Sequence, residues 1–473
     1  LSHPDVGWEF CLSQLGFGGS STSGTYKPKW RDDAVERGVC TYSEKAQFQR
    51  KCMRLMLLRS DYDLEKLKSL IGLLGAIPDE YCSQIENLVM RWLDENPTQA
   101  EIAQLREHVR VNTITVRAHL RKEDDVSFYD GRKLYAALEP SDLVQRSRWL
   151  FERAWVEFSQ DEIINDDINF DDRDEQLATL RESCLREILD ARGVNGVIQL
   201  CHLSEAPEVI GHLLAQRVME AEALVALLVE LLLSEHHSGK RKVEQCISGA
   251  LFQFRGEALP GFLDKLIRSL PDDTREEESL RVLKLAPACP ETWKMVDELG
   301  QDAADCYWRS LRSHALNLDG EGLTYCVKML LSVNRPRAAF QLSRFKLENL
   351  SSTLLHQVLF DIATKATDEA KEFNKIESYS VVSALRILNS RDEIDVQKLV
   401  QLEFVYGPLI RGVDNYDFPN LSWEVANSPG SFFQLVALCF YREDGKVDDD
   451  SLRLPSDSEL RRNSAELAFE ALS

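Results

Sequence analysis

The chain has 473 residues, of which 44% are hydrophobic and 28% charged, with a formal net charge of −22 and a pI of about 5.0. That balance supports a sizeable core and excludes a disordered chain. An acidic surface of this size repels phosphate backbones and anionic bilayers at long range, which argues against broad nucleic-acid or membrane-surface binding and is consistent with simple solubility.

The 11 cysteines include no C-x-x-C pair, and their number is odd. They fall in apolar helical stretches, a pattern expected of reduced core thiols in a cytoplasmic protein rather than of a disulfide framework or a zinc site. The longest apolar run, 223–233, is interrupted by Glu230. It falls short of the roughly 20 residues a membrane span needs, so it is expected to form a buried helix centred on Leu228. The chain starts at Leu1 without an initiator methionine, and 458–473 reads as a helix without a stop signal. Both features suggest a piece of a larger protein.

In chain order, residues 1–42 carry Gly16, Gly18, Gly19 and Gly24 among serines and read as linker, with Trp8, Phe10 and Trp30 able to dock on the body. Residues 43–135 read as a helical bundle. Phe48, Cys52, Leu55 and Met56 follow the spacing of a buried helical stripe, and Leu64, Leu67, Leu70, Ile71 and Leu74 repeat it. Further helices are expected from Pro78-Asp79 and from Pro97-Thr98. Residues 136–191 are expected to hold long helices, at about 140–158 and 172–192, around an acidic loop at 161–175.

From 192 to 473 the turns fall at short intervals, with starts expected at Ala206-Pro207, Ser238-Gly239, Leu259-Pro260, Leu270-Pro271, 288–290, 317–320 and 334–336. Proline suits a first helical turn because its missing N–H would have no intrahelical partner there. Leu399, Leu402, Val405, Tyr406 and Leu409 mark one helix face, and 432–439 a helix apolar nearly all round. The expected fold is all-α: an N-terminal helical bundle with a helix-turn-helix-like element, then an irregular α-solenoid of stacked helix pairs.

Few motifs suggest chemistry. Residues 101–103 followed by 111–120 resemble the two halves of a helix-turn-helix, and the surrounding stretch is locally basic, which makes Arg110, Arg117 and Arg121 the candidate nucleic-acid contacts. The spacing between the halves is too long and contains no glycine, so a plain helical reading is preferred. In the acidic segment, Asp167, Asn169 and Asp171 occupy calcium-loop positions 1, 3 and 5, but Asp172 stands where the loop needs glycine and Ala178 where it needs glutamate. His236-His237 lacks a third ligand in register, so no metal is expected. There is no phosphate-binding loop and no nucleophile elbow. No catalytic residue and no cofactor is assigned.

Four strings remain: Pro290-Glu291-Thr292-Trp293 with Cys306-Tyr307-Trp308 after it, Asn334-Arg335-Pro336-Arg337-Ala338-Ala339, Phe404-Val405-Tyr406-Gly407-Pro408-Leu409, and Ser431-Phe432-Phe433 leading to Phe440-Tyr441-Arg442. Over about 140–473 they resemble the helical C-terminal regions of large bacterial multidomain proteins of the antiphage or conflict-system type. The resemblance implies an effector or ATPase domain upstream and a role in sensing or assembly. The expected function is non-catalytic: docking of a protein partner or of another copy, with Trp293, Tyr307 and Trp308 as candidate anchors. The rivals are a DNA-binding regulator acting through 97–122 and an enzyme whose site is assembled from distant residues.

Overall fold

The computed structural model describes residues 4–15, 42–59, 63–74, 77–115, 129–156, 170–234, 240–311, 318, 320–364, 377–391, 393–428 and 430. Among them the structure is all-helical, with 21 helices and no strands. None is long and apolar enough to cross a membrane. The chain divides into two compact units, Leu1–Arg255 and Gly256–Ser473.

The first unit begins with α1 (Pro4–Leu15), α2 (Tyr42–Leu57), α3 (Leu64–Ile71), α4 (Asp79–Asp94), α5 (Gln99–Thr113) and α6 (Arg132–Ala137). Leu67, Leu70, Ile71 and Leu74 face one core with Tyr81, Ile85, Val89 and Trp92, as their periodicity predicts. Two expectations are corrected. Residues 4–15 are not linker but a helix, because Trp8 and Cys11 enter that same core. Of the stripe expected on α2, Cys52 and Met56 are buried while Phe48 and Leu55 face outward.

The helix-turn-helix reading is also corrected. A capping box opens α5: Thr98 N–H donates to Glu101 Oε2 at 2.8 Å, and Glu101 N–H donates to Thr98 Oγ1 at 3.3 Å. The helix then runs unbroken to Thr113, through the place where the motif needs its turn. Residues 101–103 and 111–113 are the two ends of one helix, with no glycine or proline between them to stop it.

Next come α7 (Leu143–Phe151), α8 (Phe170–Leu203), α9 (Pro207–Leu213), α10 (Ala221–Leu233) and α11 (Lys240–Leu251). The boundary expected at 192 lies one residue before Gly193 (φ 56°, ψ −145°), whose non-helical backbone divides α8 into two helical stretches. Only glycine adopts such backbone readily, so the first stretch stops there and the second sets off in a new direction. Helices α9, α10 and α11 pack back on α8, which places these residues in the first unit. Leu228 on α10 is fully buried, as expected.

The second unit contains α12 (Ala258–Arg268), α13 (Arg275–Leu285), α14 (Pro290–Glu298), α15 (Gln301–Ser310), α16 (Gly320–Ser332), α17 (Pro336–Ser343), α18 (Ser352–Thr364), α19 (Ser378–Asn389), α20 (Val396–Ile410) and α21 (Pro419–Asn427). Pro290 and Pro336 stand in first helical turns, as Pro207 does in α9. Every helix packs on its successor, and α12 also meets α14, α13 meets α15, α16 meets α18 and α18 meets α20. Such contacts between neighbours in sequence are the signature of stacked helical pairs.

Candidate interaction site

Trp293 on α14 and Tyr307 and Trp308 on α15 converge with Tyr325 on α16. Trp293 lies 5.7 Å from Trp308 and stacks on Tyr325 at 5.2 Å, and Tyr307 meets Trp308 edge-on at 5.2 Å. The three proposed anchors are 3%, 1% and 0% exposed. They weld three successive helices together and offer no ring face to a partner, which corrects their expected role. Burial drives the Tyr307 hydroxyl well above the ordinary phenol range and raises the neighbouring Cys326 thiol to about 12. Neither group ionises near neutrality, as befits a core.

Arg110 is likewise not a surface cation. It is 7% exposed, donates through two nitrogens to the Glu107 carboxylate at 2.8 Å each, and lies over the Trp149 ring at 4.8 Å. An arginine held this way is already neutralised and cannot reach a phosphate. Beside it Ala103, Arg106, Tyr135, Gln145, Arg148 and Glu152 surround a cavity of about 10 Å³, which holds at most a single water. Arg117, Arg121, the His236-His237 pair and the apolar segment 432–439 lie outside the described residues. Among those described, no group of three or more metal-ligating side chains gathers.

A buried polar cluster surrounds Glu403 on α20. Its carboxylate accepts from Tyr416 Oη at 2.7 Å, from Asn420 Nδ2 at 2.8 Å and from the Leu421 N–H at 2.7 Å. Asn389 on α19 donates to Tyr416 Oη at 3.0 Å and accepts from Asn420 at 2.6 Å. The carboxylate thus caps the N-terminus of α21, where the helix dipole favours an anion, and both its oxygens are engaged in holding structure.

A recurrent device joins the helices: an arginine from one element donates to main-chain carbonyls at the end of another. Arg181 on α8 reaches Leu150 O at 2.8 Å, in the last turn of α7, and Ala154 O at 2.9 Å, just past it. Arg335 reaches Trp308 O at 2.9 Å and Leu311 O at 2.8 Å, at the end of α15. Arg391 reaches Leu350 O at 2.6 Å and Glu348 O at 2.7 Å. Helix C-termini leave carbonyls without intrahelical donors and carry partial negative charge, so a guanidinium satisfies them twice over.

The surface of the second unit shows different aromatics. Phe345, Tyr379 and Trp423 are exposed. Arg344 stands over the Phe345 ring at 4.5 Å and pairs with Glu377 at 3.3 Å, two residues before Tyr379. This corner carries the residue types that anchor protein interfaces. Nothing in its sequence spacing distinguishes it from the buried aromatics.

No family model matches the chain, and no curated protein matches it. Among solved structures, an engineered protein whose crystal structure comes from the Northeast Structural Genomics Consortium is 13% identical over 98% of both chains, with a TM-score of 0.22. A superposition so loose carries no argument.

Proposed function

We propose that this chain is a non-catalytic recognition scaffold that docks a protein partner along the stack α12–α21. The observation that carries this reading is the order of packing: each helix rests on its neighbours in sequence, so the stack presents an extended surface by construction. The Arg344–Phe345 corner with Tyr379 is the anchor, in place of the buried Trp293 cluster. Specific complexes bury about 1,200–2,000 Å² in total, which several adjacent helices supply. The chain's net charge of −22 favours a partner with a basic patch, so association should slow as salt rises. In the cytoplasmic setting that the reduced cysteines suggest, and on the resemblance to antiphage proteins, that partner is an upstream effector or ATPase domain, a phage component or another copy of the chain.

The test is affinity capture from the host with and without phage challenge, followed by hydrogen exchange on the purified complex. Protection should fall on the outer faces of α12–α21, and replacing Phe345 and Tyr379 with alanine should weaken capture at least about tenfold, as the loss of one or two interface anchors does. A chain that captures nothing under either condition and turns over a small molecule would put an enzyme in this reading's place.

A further inference from the structure

The first unit carries a second candidate surface, built on a helix whose charge is opposite to that of the protein as a whole. Helix α2 holds Lys45, Arg50, Lys51 and Arg54 against the single carboxylate of Glu44, while α1 beside it carries the exposed carboxylates of Asp5 and Glu9. All four cations are exposed, and among the described residues none has an ion-pair partner. In a chain with 78 acidic residues against 56 basic ones, an exposed helix whose cations go unanswered is unusual.

The same helix turns apolar side chains outward. Phe48, Lys51 and Leu55 follow one another at i, i+3 and i+7, a single stripe along the helix, and Leu58 continues it just past the helix end. Phe48 is 42% exposed and Leu58 80%. On α1, one turn apart, Val6 and Phe10 are also exposed, and Phe10 meets Phe48 edge-on at 6.1 Å. The two helices are fixed from beneath: Trp8, Cys11, Cys52 and Met56 point into the core, and Gln49 Nε2 donates to Gln14 O at 3.0 Å. The outward residues are therefore held in place by a rigid base and are not needed for its packing.

We propose that the α1–α2 face binds an acidic amphipathic helix of a partner protein, whose apolar side lies along the Phe10–Phe48 contact and whose carboxylates meet Lys51 and Arg54. A seam between two helices accepts a third by ridge-into-groove packing. Local charge decides the partner. Screening at physiological salt confines the field of exposed cations to about 8 Å, so a short peptide lying along α2 reads chiefly its four cations. A bilayer is a much larger anionic surface and meets the acidic remainder of the protein as well. This surface is distinct from the Phe345 corner, and the two favour partners of opposite charge.

The test uses the whole chain and a fluorescein-labelled model helix with a leucine stripe and a glutamate polar face, alongside the same helix with lysine in place of glutamate. Anisotropy should show the glutamate helix binding at least about tenfold tighter, the ratio that 1.4 kcal/mol of charge pairing confers. Phe10→Ser with Phe48→Ser should weaken that binding at least about tenfold, and Lys51→Glu with Arg54→Glu should reverse the preference toward the lysine helix. Circular dichroism should be unchanged in both variants, since all four side chains are exposed. Equal binding of the two helices, or binding of neither, overturns the proposal. So does cosedimentation with vesicles of equal parts phosphatidylcholine and phosphatidylserine when the glutamate helix does not bind. A dimer in light scattering that the serine variant dissolves, and that the glutamate helix fails to displace, assigns the face to a second copy and overturns it too.

Discussion

Gly211 and Cys246 approach so closely that a Cβ on the glycine would lie 1.8 Å from the cysteine's carbonyl oxygen. The contact is reciprocal along the crossing of α9 and α11, because a Cβ on Gly249 would lie 2.1 Å from Glu208 O. Backbone meets backbone at both points, and no side chain can swing aside to relieve a clash.

Gly211→Ala should therefore separate α9 from α11. Overpacking of a tight core costs about 1–3 kcal/mol, and a backbone obstacle places this site at the upper end. Urea unfolding followed by circular dichroism checks it. Gly261→Ala is the control, because a Cβ there meets nothing within 4 Å.

Arg335→Ala should remove the donors for Trp308 O and Leu311 O and loosen α15 from α17. Hydrogen bonds to charged groups contribute about 1.5–3 kcal/mol, and the thermal midpoint should fall accordingly. Arg335→Lys should restore only part of the loss, since an ammonium cannot present the planar fork that reaches both carbonyls.

His108 and His356 both have pKa values held below the usual 6.5, chiefly by burial. The unfolded chain then binds more protons than the folded one below pH 6.5, so stability is full above that value and declines as pH falls through it toward the folded-state pKa. Unfolding midpoints measured between pH 7.5 and 5 should show this slope, and His108→Gln with His356→Gln should flatten it.

Arg110→Glu should destabilise the fold and leave nucleic-acid affinity as it was, because it places a second carboxylate beside Glu107 against Trp149. A melting curve and a gel-shift titration at physiological salt separate the two outcomes. Tight, sequence-dependent DNA binding by the unaltered chain that the substitution abolishes would restore the regulator reading.

The sequence was most legible where one physical signal sufficed. Pro207, Pro290 and Pro336 mark helix starts because the ring fixes the backbone angle and removes a donor that a first turn does not use. The continuity of α5 was harder to see, since a chance match to a two-helix motif competed with a capping box that is itself readable at Thr98 and Glu101. The surface aromatics were hidden for a different reason. Phe48 shares the helical spacing of Cys52 and Met56, but α2 is covered on one side only, and periodicity gives the width of an apolar stripe without saying how much of it a neighbour covers. Trp308 and Phe345 show the same limit: both are aromatics near helix ends, and only the position of Tyr325 and Trp293 decides that the first is enclosed. The arginine contacts left no trace, because their acceptors are main-chain carbonyls that every residue possesses.

Those carbonyl contacts separate the molecule's joints from its electrostatic coat. A peptide oxygen does not titrate, so Arg181, Arg335 and Arg391 keep their acceptors at any pH at which the chain stays folded. The surface behaves otherwise: as pH approaches the pI of about 5.0, protonation erases the net charge. Acidification toward that value should thus remove the attraction that guides recognition while these three guanidinium joints persist, with the buried His108 and His356 setting how far down in pH the fold around them survives.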